Sequence, residues 1–271
     1  MAAHKLIAFV AVLALMGCTV QGAKRSYILA ERFWSDGNYA DSVREFEKVV
    51  KADPKNALGM QALFRAAMTQ TLFLDQHTEA LEKLKTYLQL TEDPEMSWNA
   101  RKEVGEILYS KQRKYSEALS WYQELLYQRP RSKDAPELHY RIARCQFFLW
   151  KFSDSIQTLK EIESKYPGTT WVEKAAFEIG MTLFTQADDE GGGSSFTAVI
   201  QAFEAFTRRY PNSTSVPHAQ FWIAASLEEL ERLDEAYARF EALKAQHPEP
   251  HLVEVKLKRI QERRDRARSG K

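Results

Sequence analysis

The chain has 271 residues, 28% of them charged and 44% hydrophobic. That is enough for one large or two ordinary packed domains, and it excludes a disordered chain. Its 38 basic and 37 acidic residues leave a formal charge of +1, which excludes the strongly basic balance of a nucleic-acid binder. The two cysteines, Cys18 and Cys145, make neither a disulfide framework nor a CxxC metal pair.

The first five residues are short and positively charged, and Leu6 to Leu15 is an apolar run of about ten residues, too short to span a bilayer as a helix. Leu15-Met16-Gly17-Cys18 follows. This resembles the bacterial lipobox. The resemblance implies cleavage before Cys18, a signal peptide over 1–17, a diacylglycerol thioether with further acylation (palmitate) on Cys18, and a mature chain starting there. An ordinary secretory signal with an incidental cysteine is the alternative. Thr19 stands where Asp tends to retain lipoproteins in the inner membrane, so the expected location is the periplasmic face of the outer membrane. Residues 18–25 read as a lipidated tether. Thr19 to Arg25 reaches about 25 Å at most when extended, which puts the first helix close to the membrane surface.

Residues 37–54, GNYADSVREFEKVVKADP, are the first clear copy of a repeated unit. A turn at Gly37-Asn38-Tyr39 opens a helix with Ser42, Phe46 and Val49 on one face. The same small–large–large stripe returns at Ala80/Leu84/Tyr87, Ala118/Tyr122/Leu125, Ser155/Leu159/Ile162, Val199/Phe203/Phe206 and Ala236/Phe240/Leu243. The spacing is about 37 to 38 residues, except for about 44 between Ser155 and Val199, a period that signals stacked helix pairs. Closing prolines stand at Pro54, Pro94, Pro130, Pro167, Pro211 and Pro248. Repeat two departs most, since its turn Asp75-Gln76-His77 lacks Gly and the aromatic. Repeat five carries a turn-rich insertion at 187–195, ADDEGGGSS. A last helix, about 251–268, has Val253, Leu257 and Ile260 on one side and reads as a cap within a basic C-terminal segment 251–271.

An aromatic precedes the small residue by three at Tyr39, Tyr115, Phe152 and Phe196. A Leu/Ile–Gly/Ala pair marks the preceding helix at Leu29-Ala30, Ile142-Ala143, Ile179-Gly180 and Ile223-Ala224. With the closing proline, this pattern resembles the tetratricopeptide repeat (TPR) family over nearly all of the mature chain. The resemblance implies an all-α, right-handed superhelical solenoid of about six helix pairs over residues 26–250, plus the capping helix. The joints Tyr166-Pro167-Gly168-Thr169 and Tyr210-Pro211-Asn212-Ser213 resemble those of the BamD-like lipoproteins of outer-membrane protein assembly. That family typically has five repeats rather than about six, and Asp53-Pro54 and Arg129-Pro130 end repeats as ordinary TPRs do.

Chemistry-bearing motifs are absent from the sequence. The histidines at 4, 77, 139, 218, 247 and 251 form no HExxH pair, and Gly191-Gly192-Gly193 lacks both P-loop and GxGxxG spacing. Asp188-Asp189-Glu190 lacks the alternating ligands of an EF-hand. Cys145 reads as a small core residue. No cofactor, metal, nucleic acid or small-molecule substrate is expected, and no enzyme activity. A cell-wall glycosidase would need a catalytic domain for which the repeats leave no room.

In a TPR array the first helix of each pair lines the groove. The candidate partner-groove residues are Tyr27, Glu31 and Trp34 in repeat one, Tyr140, Arg144 and Phe147 in repeat four, Phe177, Met181 and Phe184 in repeat five, and Phe221 and Glu228 in repeat six. Aromatic and Arg side chains dominate interface energetics; burial by helix packing is the competing account of the same pattern. The basic last helix is either a solvated outer face or a patch for an acidic partner or anionic lipid. The expected function is a lipid-anchored scaffold binding envelope proteins during outer-membrane protein assembly. The alternatives are a pilotin-type TPR lipoprotein for a secretin or type IV pilus, and a cell-wall-associated Tol-Pal or division factor.

Overall fold

The computed structural model describes residues 21–189 and 195–269. All regular structure among them is helical: α1 (21–35), α2 (Tyr39–Ala52), α3 (Ala57–Phe73), α4 (His77–Leu90), α5 (Pro94–Glu106), α6 (Tyr115–Gln128), α7 (Ala135–Phe148), α8 (Phe152–Lys165), α9 (Thr170–Asp189), α10 (Ser195–Arg209), α11 (Val216–Glu229), α12 (Leu233–Leu243) and α13 (Pro250–Arg268). Odd-numbered helices up to α11 open a pair, even-numbered ones close it, and α13 stands alone at the end. The chain forms two compact units, one ending at Ala118 and the other running from Leu119 to the C-terminus, so their boundary falls within α6. The expected signal peptide, 1–17, and Cys18 lie outside the described residues, as does the centre of the repeat-five insertion.

All eighteen residues of the repeated stripe are buried, from Ser42, Phe46 and Val49 to Ala236, Phe240 and Leu243. The small residue of each stripe permits a close helix crossing. In repeat four the contact is polar as well, since Ser155 Oγ donates to the Ala143 carbonyl at 2.9 Å. In repeat five the approach is closer still, and a Cβ on Gly180 would lie 2.6 Å from the buried Phe203 ring.

The turns inside the pairs share one backbone device. Gly37, Asp75, Arg113, Trp150 and Glu231 all adopt positive φ, between +52° and +78°. In repeats one, four and six the following amide closes onto a carbonyl five residues back: Asn38 onto Phe33 at 2.8 Å, Lys151 onto Gln146 at 2.9 Å, Arg232 onto Leu227 at 2.9 Å. This is the Schellman arrangement that ends a helix by satisfying its orphan carbonyls. In repeats two and three the bond spans six residues, Gln76 onto Gln70 and Lys114 onto Leu108. The wider closure in repeat three coincides with a π-helical turn, Ile107–Lys111, at the end of α5.

Three expectations need correction. Residues 21–25 are the first turns of α1 rather than tether, because Ala23 packs against the core of Ala30, Val43 and Phe46. Pro94 does not stop α4; it is the first residue of α5, capped by Asp93, whose Oδ1 accepts from the Glu95 and Met96 amides at 2.8 and 2.9 Å. Proline is favoured there because its missing N–H would be unpaired anyway. Residues 187–189 are helical, because Ala187 is wholly buried in the cluster with Phe196 and Val199.

From α7 to α13 each helix packs on its neighbour in sequence, and α9 also touches both α7 and α11. The opening helices of repeats four to six therefore lie side by side. Residues Val253, Leu257 and Ile260 of α13 are buried against the last pair, as a cap requires.

Candidate functional site

In the first unit, Tyr27, Glu31 and Trp34 form a strip along α1 that faces α3. Glu31 accepts two bonds from the Arg65 guanidinium, Nε at 3.0 Å and Nη2 at 2.8 Å. The same guanidinium lies 4.8 Å over the Trp34 ring, a cation–π contact. Trp34 meets Phe73 edge-on, and Phe73 stacks on Tyr39 at 4.1 Å. Tyr27 packs edge-on against Phe46 at 5.4 Å. Burial raises the Tyr27 hydroxyl above its ordinary value of 10.0, with the Glu31 charge acting in the same direction.

At one end of this strip opens a cleft of about 850 Å³. Tyr27, Met60, Phe64, Tyr87, Leu90 and Met96 provide its apolar wall, and Lys55, Arg65, Asp93 and Asn99 its polar rim. The size and the mixture of apolar wall with a few polar groups fit a ligand site. The sequence reading named Tyr27 but none of the repeat-two residues, although Met60 and Phe64 occupy the same helix ridge.

In the second unit, Tyr140 and Arg144 of α7 converge on Glu178 of α9. The Tyr140 hydroxyl donates at 3.0 Å and Arg144 Nη1 at 2.5 Å. Arg144 also lies over the rings of Phe147 and Phe148 at 5.3 and 4.9 Å, and Tyr140 leans on Trp171 at 5.2 Å. Arg144 and Glu178 are 34 residues apart, as are Glu31 and Arg65. Both pairs thus join equivalent ridges of successive repeats, and this spacing was the signal by which Glu178 could have been found. Phe184 bridges to the next opening helix through Trp222 at 4.6 Å, a residue the sequence reading also missed.

The remaining candidates sit deeper. Phe177 packs on Phe203 and Phe206, each at 5.5 Å, and Met181 lies against the same cluster. Phe221 packs on Phe240 at 5.2 Å and on His247 at 5.2 Å. Glu228 is no groove residue: its side chain is 0% exposed beneath α13. Lys256 Nζ reaches its Oε2 at 3.0 Å, while Arg259 Nε and Arg263 Nη1 reach Oε1 at 2.6 and 3.1 Å. Burial pushes this carboxyl up, but the bonds from Arg259 and Lys256 and their charges outweigh it and hold it below 4.5. The basic face of α13 is thereby largely committed within the molecule, since Arg263 also bonds Glu231 and Arg264 pairs with Asp234 while covering Tyr237.

A second cleft, about 560 Å³, lies among α6, α7 and α8 and includes His139, Tyr166, Glu161, Lys165 and the 82% exposed Tyr127. His139 Nδ1 is 3.1 Å from both the Ala135 carbonyl oxygen and the Tyr166 hydroxyl. Burial lowers the His139 pKa below 6.5, so the ring is neutral near pH 7. This explains the tyrosine of the Tyr-Pro joint, which reaches back to the opening helix of its own repeat. Cys145 is buried, as a core residue. Among the described residues no group of three or more His, Cys, Asp or Glu is arranged to hold a metal ion, and no helix is long and apolar enough to cross a membrane.

Residues 218–250 match the family model of the tetratricopeptide repeat. The fold is that of a TPR solenoid. Among solved structures, a TPR protein from Parabacteroides merdae is similar with a TM-score of 0.63 at 15% identity, over 91% of this chain and 90% of that one. PilW, a type IV pilus biogenesis factor, is similar with a TM-score of 0.55 at 17% identity, over 86% and 98%. PilF of Pseudomonas aeruginosa is similar with a TM-score of 0.51 at 14% identity, over 88% and 99%. No curated protein sequence matches the chain. At these identities the TPR likeness describes the fold of the repeats, and their groove residues are this chain's own.

Proposed function

We propose that this protein is a lipid-anchored TPR adaptor of the bacterial cell envelope, acylated on Cys18 at the periplasmic face of the outer membrane. It holds protein partners, without catalysis, during outer-membrane protein assembly. The observation that carries the binding role is the cleft of about 850 Å³ in the first unit. Two methionines, two tyrosines and a phenylalanine line it, and flexible thioethers beside rigid rings suit a peptide with apolar anchors. Arg65 and Trp34 beside it are prearranged by Glu31, which lowers the ordering cost of binding. A photo-crosslinking residue at Phe64, used in intact envelopes, should capture barrel-assembly components. Recovery of no envelope protein would overturn the adaptor reading.

A second reading is favoured by the likeness to PilW, of which 98% is covered. A pilotin would present the same helical face to a secretin or pilus subunit. Secretin or pilus subunits captured from the Phe64 position would select it over the assembly role. Phe64→Ala should weaken capture of the partner at least tenfold, the loss expected for an interface anchor, while leaving the helical circular-dichroism signal intact.

A further inference from the structure

We propose that the outward face of α1 lies flat on an anionic phospholipid surface, so that the anchor holds the first unit in a fixed orientation. The inference rests on the reading of Cys18 as acylated. Positions 24, 25, 28, 29 and 32 recur at helical spacing and are all exposed, with Ile28 at 70% and Leu29 at 38%. Lys24, Arg25 and Arg32 flank the two aliphatic residues. The one carboxylate within the helix, Glu31, is turned the other way onto Arg65. Asp36, just past the helix end, lies 4.0 Å from Arg32. The face therefore carries three cations around an apolar centre, in a chain whose overall formal charge is only +1. A helix with a basic rim and an aliphatic centre suits the headgroup boundary of an anionic bilayer.

Chain geometry brings the two together. Gln21, the first described residue, is helical and three residues from Cys18, which is about 10 Å of fully extended chain. An acyl group at Cys18 thus holds the start of α1 within reach of the headgroups. In the opposite direction, α1 is packed against α2 and α3 through Ala30 and Tyr27. Its buried face is fixed on the protein, which leaves the basic face for the membrane.

The test uses the full acylated chain on vesicles, with a nitroxide on Ile28→Cys and, as a control, on Leu72→Cys of α3, 58% exposed in the same unit. Mass spectrometry of the N-terminal peptide first establishes acylation of Cys18. On vesicles containing phosphatidylglycerol, the label at position 28 should be shielded from an aqueous relaxation agent, and that at 72 should not. On phosphatidylcholine vesicles the shielding should vanish. Replacing the cations (K24Q, R25Q, R32Q) should shift the docked-to-free ratio by about fivefold for each charge removed. Equal accessibility on both vesicle types with Cys18 acylated would overturn the proposal and leave the anchor standing. Shielding of position 28 in the unacylated chain in plain buffer, with neither lipid nor detergent, would mean that protein covers the face, and would overturn it too. Absence of the acyl mass would remove the anchor and, with it, this proposal.

Discussion

Five turn residues carry the same left-handed backbone, yet only Gly37 is a glycine. An L-residue in that region costs about 1–2 kcal/mol, partly offset by the greater chain entropy that glycine loses on folding. Trp150 has a ring contact with Phe152 and Glu231 an ion pair with Arg263. Arg113 is exposed, which makes it the cleanest test of the backbone term. Arg113→Gly is expected to raise stability by about 0.5–1 kcal/mol in thermal or urea unfolding; a loss would show that the side chain matters more than the dihedral. Gly180 presents the opposite case, because Phe203 fills the space where a Cβ would stand. Gly180→Ala should cost about 1–3 kcal/mol through overpacking, measured as a drop in the urea midpoint at unchanged slope.

At the scale of the element, α13 is held by both an apolar seam and a buried charge. Glu228 gathers Lys256, Arg259 and Arg263, and removing one partner of a buried ion group costs about 3–5 kcal/mol. Glu228→Ala should therefore speed amide exchange throughout α13 by at least a hundredfold, with little change in α7. The pH dependence has a definite sign. The carboxyl's folded value lies below its unfolded value of 4.5, so its stabilisation is fully present above pH 4.5 and is lost as pH falls through the lower folded value. Exchange protection of α13 should fall in that acid window, and Glu228→Gln should abolish the dependence. Sequence reading recognised the seam from Val253, Leu257 and Ile260, whose spacing is local. It placed Glu228 in the groove because its partners lie 28 to 35 residues further on.

For the molecule as a whole, two compact units share one repeat chemistry. The second contains a neutral buried histidine whose folded pKa is lowered by burial below 6.5. Below pH 6.5 the unfolded chain takes up a proton that folded His139 refuses, so stability declines from there as pH falls. His139→Gln should flatten the pH 5–7 portion of the unfolding profile, and an unchanged profile would contradict the burial account. The stripe, the period and the cap were legible because helical repetition writes itself into residue spacing: each buried triplet needs a small residue, then large ones, four and three positions apart. The ridges of α1, α7, α9 and α11 were legible in part, because side chains that miss their own pair must face something. Whether that something was solvent, a ring or an opposite charge depended on residues one repeat away. Tyr140 and Arg144 were found and Glu178 was not; Tyr27 was found and the Met60–Phe64 wall was not.

Sequence alone determined that this chain forms stacked helix pairs with a closing helix, since every buried stripe is defined within one turn or two of its own helix. Only the tertiary structure decided which side chains remain available. Arg65, Arg144 and the cations of α13 are engaged by carboxylates from neighbouring repeats, whereas Lys24, Arg25, Ile28 and Leu29 on the outer face of α1 are exposed. Electrostatic pairing and burial depend on distances in space, and those are set by packing between helices rather than by order along the chain.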